Sequence, residues 1–117
     1  MTRPQTVPTI GLTLPCRFVS ARDGDTVVVS ILDGRLRPAI RLIGIDCPEG
    51  LEGLEAKHFT ESTLEVATDL ILHIPEPTNL RSLLANLTFD RIPGYIWLDA
   101  RTTLNDLLVE RNLARRV

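Results

Sequence analysis

The sequence predicts a mainly β domain with helices (α+β): a small five-stranded barrel packed by two main helices and one short extra helix. Three features carry this expectation. Short apolar runs rich in Val and Ile open the chain, divided by the turn pairs Asp23-Gly24 and Asp33-Gly34. Two later stretches free of Gly and Pro place apolar residues at helical spacing. At 117 residues the chain is long enough for one core and too short for two. A split α/β sandwich is the rival architecture.

Residues 1–15 contain Pro4, Pro8 and Gly11 without periodicity and read as an extended lead-in to a domain over 16–117. Strand signals follow at Cys16–Ala21, Thr26–Leu32 and Pro38–Ile45. Val27, Val28, Val29 and Ser30 do not alternate cleanly, as expected of a strand covered by helices on one side. Leu54–Ala67 reads as a helix with Ala56, Phe59, Thr63 and Ala67 on one face. Leu70–Ile74 is the next strand, stopped by Pro75 and Pro77. Thr78 then caps a short helix lined by Leu80, Leu83, Leu84 and Leu87. That helix closes one end of the core in a monomer; the alternative is that residues 78–88 pack on a second copy in a dimer. Tyr95–Asp99 is the fifth strand and Leu104–Arg111 the last helix, with Leu104, Leu107, Leu108 and Leu113 inward.

Thirteen basic and fifteen acidic residues leave a formal charge of -2, which argues against a protein that holds long nucleic acid by charge alone. Phosphate binding in such a chain has to be local or metal-assisted. The apolar fraction of 44% excludes a disordered chain. With three Phe, one Tyr and one Trp, the core has to rest on Leu, Ile and Val. Cys16 and Cys47 are too few for a disulfide framework and read as two buried thiols, a single bridge being the alternative. No apolar run reaches membrane-spanning length, so no membrane partner is expected. Met1-Thr2-Arg3-Pro4 lacks the apolar segment of a secretory signal, making the cytoplasm the default location. Removal of a signal segment would make it secreted or periplasmic instead.

The stretch with most chemical content is Arg41-Leu42-Ile43-Gly44-Ile45-Asp46-Cys47-Pro48-Glu49, a strand whose end delivers two carboxylates three positions apart. Asp23-Gly24-Asp25-Thr26 supplies another at the start of an earlier strand. Carboxylates and an arginine arriving from separate strand ends suit a metal-assisted phosphate site. Hard oxygen donors favour Ca²⁺ or Mg²⁺, whereas zinc calls for His or Cys. His58 and His73, the two histidines, are read as neither ligands nor catalysts. Guanidinium forks match phosphate oxygens and stay charged when partly buried. The bland readings are Asp25 as a hairpin-turn residue, Asp46 as a turn cap, Arg41 as a surface ion-pair partner and Arg91 as the partner of Asp90.

Four blocks of residues carry a family resemblance. They are Ala21-Arg22-Asp23-Gly24-Asp25-Thr26-Val27, the Arg41–Glu49 stretch, Gly53-Leu54-Glu55-Ala56-Lys57-His58-Phe59-Thr60, and Leu104–Val109 followed by Leu113-Ala114-Arg115. In this order they make the chain resemble the staphylococcal nuclease-like (thermonuclease) family between about Phe18 and Ala114. Members of that family have a five-stranded OB-type barrel and cleave DNA and RNA phosphodiesters with bound calcium. The resemblance implies Ca²⁺ held by Asp25, Asp46 and the backbone carbonyl of Cys47. It further implies that Glu49 positions or activates the attacking water and that Arg41 holds the reacting phosphate. Arg91, four residues before Tyr95, takes the place of the family's second catalytic arginine. Arg41, Arg91 and Tyr95 would then line the substrate groove. The chain departs from the family pattern at Phe89-Asp90, where Tyr-Gly is usual, at Pro93, where leucine is usual, and at Asn112, which replaces a glycine. The nucleotide-stacking tyrosine of that loop and the family's third helix have no counterpart.

The expected function is a calcium-dependent nuclease acting on DNA or RNA. The alternative is a catalytically weak or inactive module of the same fold that binds nucleic acid or protein. On the sequence alone, Glu49→Gln and Arg41→Ala are both expected to spare folding while removing turnover.

Overall fold

The computed structural model describes residues 11–75 and 91–117. Leu12–Pro15 (β1), Arg17–Asp23 (β2), Thr26–Ser30 (β3), Ala39–Leu42 (β4) and Ile45–Asp46 (β5) come first. A 3-10 turn at Gly50–Gly53 leads into the helix Leu54–Val66 (α1). Ile71–Ile74 (β6), Ile92–Trp97 (β7), the helix Leu104–Glu110 (α2) and Arg115–Arg116 (β8) complete a mixed fold of several strands and two helices.

Six strands form one sheet in the order β1-β6-β7-β4-β3-β2, and β5 pairs with β8 in a separate ribbon. All neighbours run antiparallel except β4 and β7, which are parallel with Ile40 beside Ile92 and Arg41 beside Pro93. β1 and β2 stand at opposite ends of this order, yet Cys16 alone separates them along the chain. The Cys16 amide donates to the Leu70 carbonyl at 3.0 Å, which holds the corner where the chain leaves one edge pairing for the other.

The core is aliphatic, as the scarcity of aromatic residues requires. Val27, Val29, Ile40, Leu42, Leu72, Ile74 and Ile96 are fully buried from the sheet, and Leu64, Leu104 and Leu108 are buried from the helices. On β3 the alternation hidden by three consecutive valines is real, with Val27 and Val29 inward and Val28 and Ser30 partly exposed. Cys16 and Cys47 are free, buried thiols.

Several elements differ from the sequence expectation. The sheet begins at Leu12, not at Cys16, because the half-buried Leu12 and Leu14 pair with Ile74 and Leu72. Four residues ending in Pro15 are too few to declare a period. The expected strand Pro38–Ile45 is broken into β4 and β5 by a turn at Ile43-Gly44, where Gly44 has φ +79°, a left-handed backbone that favours glycine. β7 begins at Ile92 and ends at Trp97, ahead of the expected Tyr95–Asp99. Pro93 is tolerated there because β6 pairing starts only at Tyr95, leaving its missing N–H without a required acceptor. On α1 the buried stripe is Ala56, Thr60 and Leu64, with Phe59 and Thr63 on its flank. The expected helix over 78–88, and any dimer contact through it, lies outside the described residues.

Asn105 ties the last helix to the sheet. Its side-chain amide nitrogen donates to the carbonyls of Ile43 (3.0 Å) and Gly94 (3.3 Å), and its oxygen accepts from the Ile96 amide (3.3 Å). Thr103 caps the same helix by accepting from the Asp106 amide at 3.0 Å. Asn105→Ala leaves the Ile96 N–H and parts of two carbonyls without partners. We expect a loss of about 2–4 kcal/mol in urea unfolding with an unchanged m-value.

Candidate functional site

The β2–β3 turn carries Asp25, and its shape depends on close packing against α1. A Cβ at Gly24 would lie 2.7 Å from the Ala56 Cβ and 3.0 Å from the Cys47 Sγ, so only glycine admits this approach. Thr60 Oγ1 donates to the Gly24 carbonyl at 2.8 Å, fastening the turn to the middle of the helix. Asp25 is thereby 95% shielded, at 5% exposure. Its Oδ2 accepts from the Cys47 amide at 2.8 Å, and its backbone carbonyl accepts from the Leu42 amide at 2.8 Å. The Thr26 hydroxyl donates to Oδ1 at 3.3 Å.

Arg41 stands on β4 beside Thr26, one strand away from Asp25. Its Nη1 donates to the carbonyls of Leu42 and Ile45, both at 2.9 Å, bracing the Ile43-Gly44 turn from within. Its Nη2 reaches Asp46 Oδ1 at 3.0 Å and Asp25 Oδ2 at 3.4 Å. Two of the three carboxylates singled out in the sequence, Asp25 and Asp46, therefore meet on one guanidinium nitrogen. Asp46 lies on β5, and its other oxygen, Oδ2, is 3.5 Å from Arg115 Nη2 on β8.

Among the residues expected at the site, Asp25, Arg41, Asp46 and Cys47 come together. At Cys47 the contact with Asp25 is made by the amide N–H. The Cys47 thiol is pushed up to about 12, first by burial and then by the neighbouring Asp25 charge. Glu49 is exposed at the start of the 3-10 turn, in extended backbone, and makes no side-chain capping bond there. Arg91 is exposed and directly precedes β7. The alternation of exposed Arg91, buried Ile92 and exposed Pro93 puts it on the sheet face that carries Arg41. Tyr95 is half-buried and stacks on His73 of β6, with ring centroids 5.6 Å apart. Trp97, its neighbour on that face, is buried.

Arg115 stands in the last block of the resemblance, which gives it no role at the site. Asn112, at φ +60°, reverses the chain at the helix end, where Leu113 and Ala114 amides both donate to the Leu108 carbonyl at 2.9 and 3.2 Å. The chain then runs back along β5, placing Arg115 opposite Asp46 and Arg116 opposite Ile45. The readable signal was Asn112 in the place of a helix-ending glycine. Between these two segments opens a pocket of about 390 Å³, lined by Asp46, Cys47, Pro48 and Asn112–Arg115. A larger cavity of about 700 Å³ lies at the far end of β3, beside Ser30, Cys16 and Leu70.

Among the described residues no group of three or more His, Cys, Asp or Glu side chains is arranged to hold a metal ion. No helix among them is long and apolar enough to cross a membrane. Neither a scan of protein-family models nor a search of curated proteins returns a match.

The sequence expectation that Arg41→Ala spares folding is revised by this geometry. Removing the guanidinium strips two turn carbonyls of a donor and leaves the buried Asp25 carboxylate with neutral partners only. We expect Arg41→Ala to lower stability by about 1–3 kcal/mol, with Asp25→Asn in the same chain recovering part of the loss in urea unfolding. The thiols give an independent check. Cys16, also raised to about 12 by burial, and Cys47 stay protonated in the folded chain up to that range, while the unfolded thiols ionise near their ordinary value of 9.0. The unfolded state then binds fewer protons, so stability is complete below about pH 9 and falls as pH rises toward 12. Alkylation by iodoacetamide at pH 8 is expected only once the chain is denatured.

Proposed function

We propose that the chain is a calcium-dependent phosphodiesterase acting on DNA or RNA, built on a five-stranded OB-type barrel. The supporting observation is the convergence of Asp25, from the β2–β3 turn, and Asp46, from β5, on the single Nη2 of Arg41. In the fold reading, β1 and β2 count as one strand bent at Cys16 that pairs with β6 on one side and β3 on the other. Bent in this way, the strand order returns on itself.

The donor chemistry fits Ca²⁺. Asp25, Asp46 and the Cys47 carbonyl are hard oxygen donors, and the protonated Cys47 thiol offers no thiolate to a softer metal. Two carboxylates are few for Ca²⁺, so Asp25, Asp46 and the Cys47 carbonyl would hold it only with help from oxygens outside the chain. When bound, the ion neutralises charge on the phosphate under attack. Arg41 Nη2, released by carboxylates that hold the ion, would face the phosphate while Nη1 stays on the turn carbonyls, and Arg91 on the same sheet face would approach from the neighbouring strand. Glu49, exposed just past Asp46, orients the attacking water.

A second reading is a non-hydrolytic binding module of the same fold. It is favoured by how fully Arg41 is engaged, with two carbonyls and two carboxylates, and by Glu49 standing outside that cluster.

Digestion of single- and double-stranded DNA and of RNA with Ca²⁺, against the same samples in excess EDTA, separates the two. Cleavage that disappears in EDTA supports hydrolysis; no cleavage of any substrate with Ca²⁺ overturns it. Glu49→Gln is expected to keep the unfolding midpoint and lower kcat by about 100-fold or more. Arg91→Ala is expected to lower kcat about 100- to 1000-fold, as loss of a strong transition-state donor does. An unchanged rate in both variants places the chemistry elsewhere.

A further inference from the structure

We infer that the pocket between Pro48 and Leu113–Arg115 is a binding site for a nucleoside monophosphate unit, with its ring on the apolar floor and its phosphate on Arg115. The inference rests on the proposed function, which makes phosphate esters the substrate, and names the subsite that receives the group next to the one attacked.

The volume of about 390 Å³ lies at the small end of ligand pockets and suits one nucleoside rather than a longer segment. Its floor is Pro48, Leu113, Ala114 and the buried Cys47, a surface for the flat face of a heterocycle. Its rim is charged. Arg115 is 79% exposed, and of its five N–H donors one nitrogen rests 3.5 Å from Asp46 Oδ2. An exposed ion pair at that distance holds weakly, so a phosphate dianion competes readily for the guanidinium. In the metal-free chain Asp46 is held by Arg41, whose 3.0 Å bond to Oδ1 offsets the carboxylate that would otherwise repel the phosphate; with the ion bound, the ion would take over that role.

The placement of Arg115 follows from topology. β8 exists only because Asn112 reverses the chain, and the Asp46–Arg115 register then sets the guanidinium on the same carboxylate that Arg41 holds. A nucleotide whose phosphate meets Arg115 therefore lies against the wall of the proposed catalytic cluster.

The test is an NMR titration of the full chain with thymidine 5′-monophosphate, thymidine and inorganic phosphate, each in EDTA so that metal plays no part. The expected result is movement of the Cys47, Leu113, Ala114 and Arg115 amides with the monophosphate, at a Kd at least 5-fold below that of either thymidine or phosphate. Arg115→Ala is expected to weaken the monophosphate at least 5-fold and leave thymidine unchanged. Ala114→Phe, which fills the floor, is expected to abolish both; should it misfold, the wild-type titration and Arg115→Ala decide alone. Movement confined to other amides, none at millimolar nucleotide, or equal binding by phosphate alone overturns the inference. Digestion assays on the same preparations distinguish the two proposals. Ca²⁺-dependent cleavage without shifts at 113–115 removes the pocket and leaves hydrolysis standing. Shifts at 113–115 without cleavage leave the pocket as the binding site of a non-hydrolytic module.

Discussion

The guanidinium of Arg41 satisfies two backbone carbonyls and two carboxylates at once, and much of the molecule is arranged so that it can. One nitrogen closes the turn that splits β4 from β5, and the other draws Asp25 and Asp46 together. Asp25 is buried, and a buried carboxylate is costly unless charge and hydrogen bonds offset its lost hydration. Arg41 provides the charge, and the amide of Cys47 and hydroxyl of Thr26 provide the bonds. The strand-end geometry, the buried charge and the candidate site are thus one constraint seen from three sides.

The helices hold that arrangement from outside the sheet. α1 presses Ala56 onto Gly24 and bonds Thr60 to its carbonyl, which fixes the height of the turn bearing Asp25. α2 sends Asn105 between Ile43, Gly94 and Ile96, and so steadies the turn that follows Arg41 from its other side. Phe59 of α1 lies 5.6 Å beneath the Arg111 guanidinium at the end of α2, joining the two supports. Neither Thr60 nor Asn105 carries chemistry of its own; each converts a helix into a clamp on a loop.

Much of the secondary structure is legible in the sequence. The hairpin pairs Asp23-Gly24 and Asp33-Gly34, the Gly-free run from Leu54 and the leucines from Leu104 mark elements whose local period or turn chemistry is strong. β1 and β8 were not legible, because four and two residues carry no period and exist only through their partners β6 and β5. Asn105 was hidden for a related reason: a buried asparagine looks like any polar helix residue until the carbonyls it answers are in place. At the site, the sequence named Asp25, Arg41 and Asp46 but not their direct pairing on one guanidinium nitrogen, and it gave Arg115 no part there.

By itself the sequence determined which carboxylates and arginines stand at turns and strand ends, since alternation, turn pairs and proline stops act over a few neighbouring positions. It also determined an aliphatic core, because the chain has little else to bury. Tertiary structure alone decided that Arg41 spends its donors on both carboxylates, that Cys47 meets Asp25 through its amide, and that the final residues return to Asp46. Apart from the local Arg41–Asp46 bond, those outcomes join segments 16 to 69 positions apart, whose separation is set by how sheet and helices pack and not by any local preference of the chain.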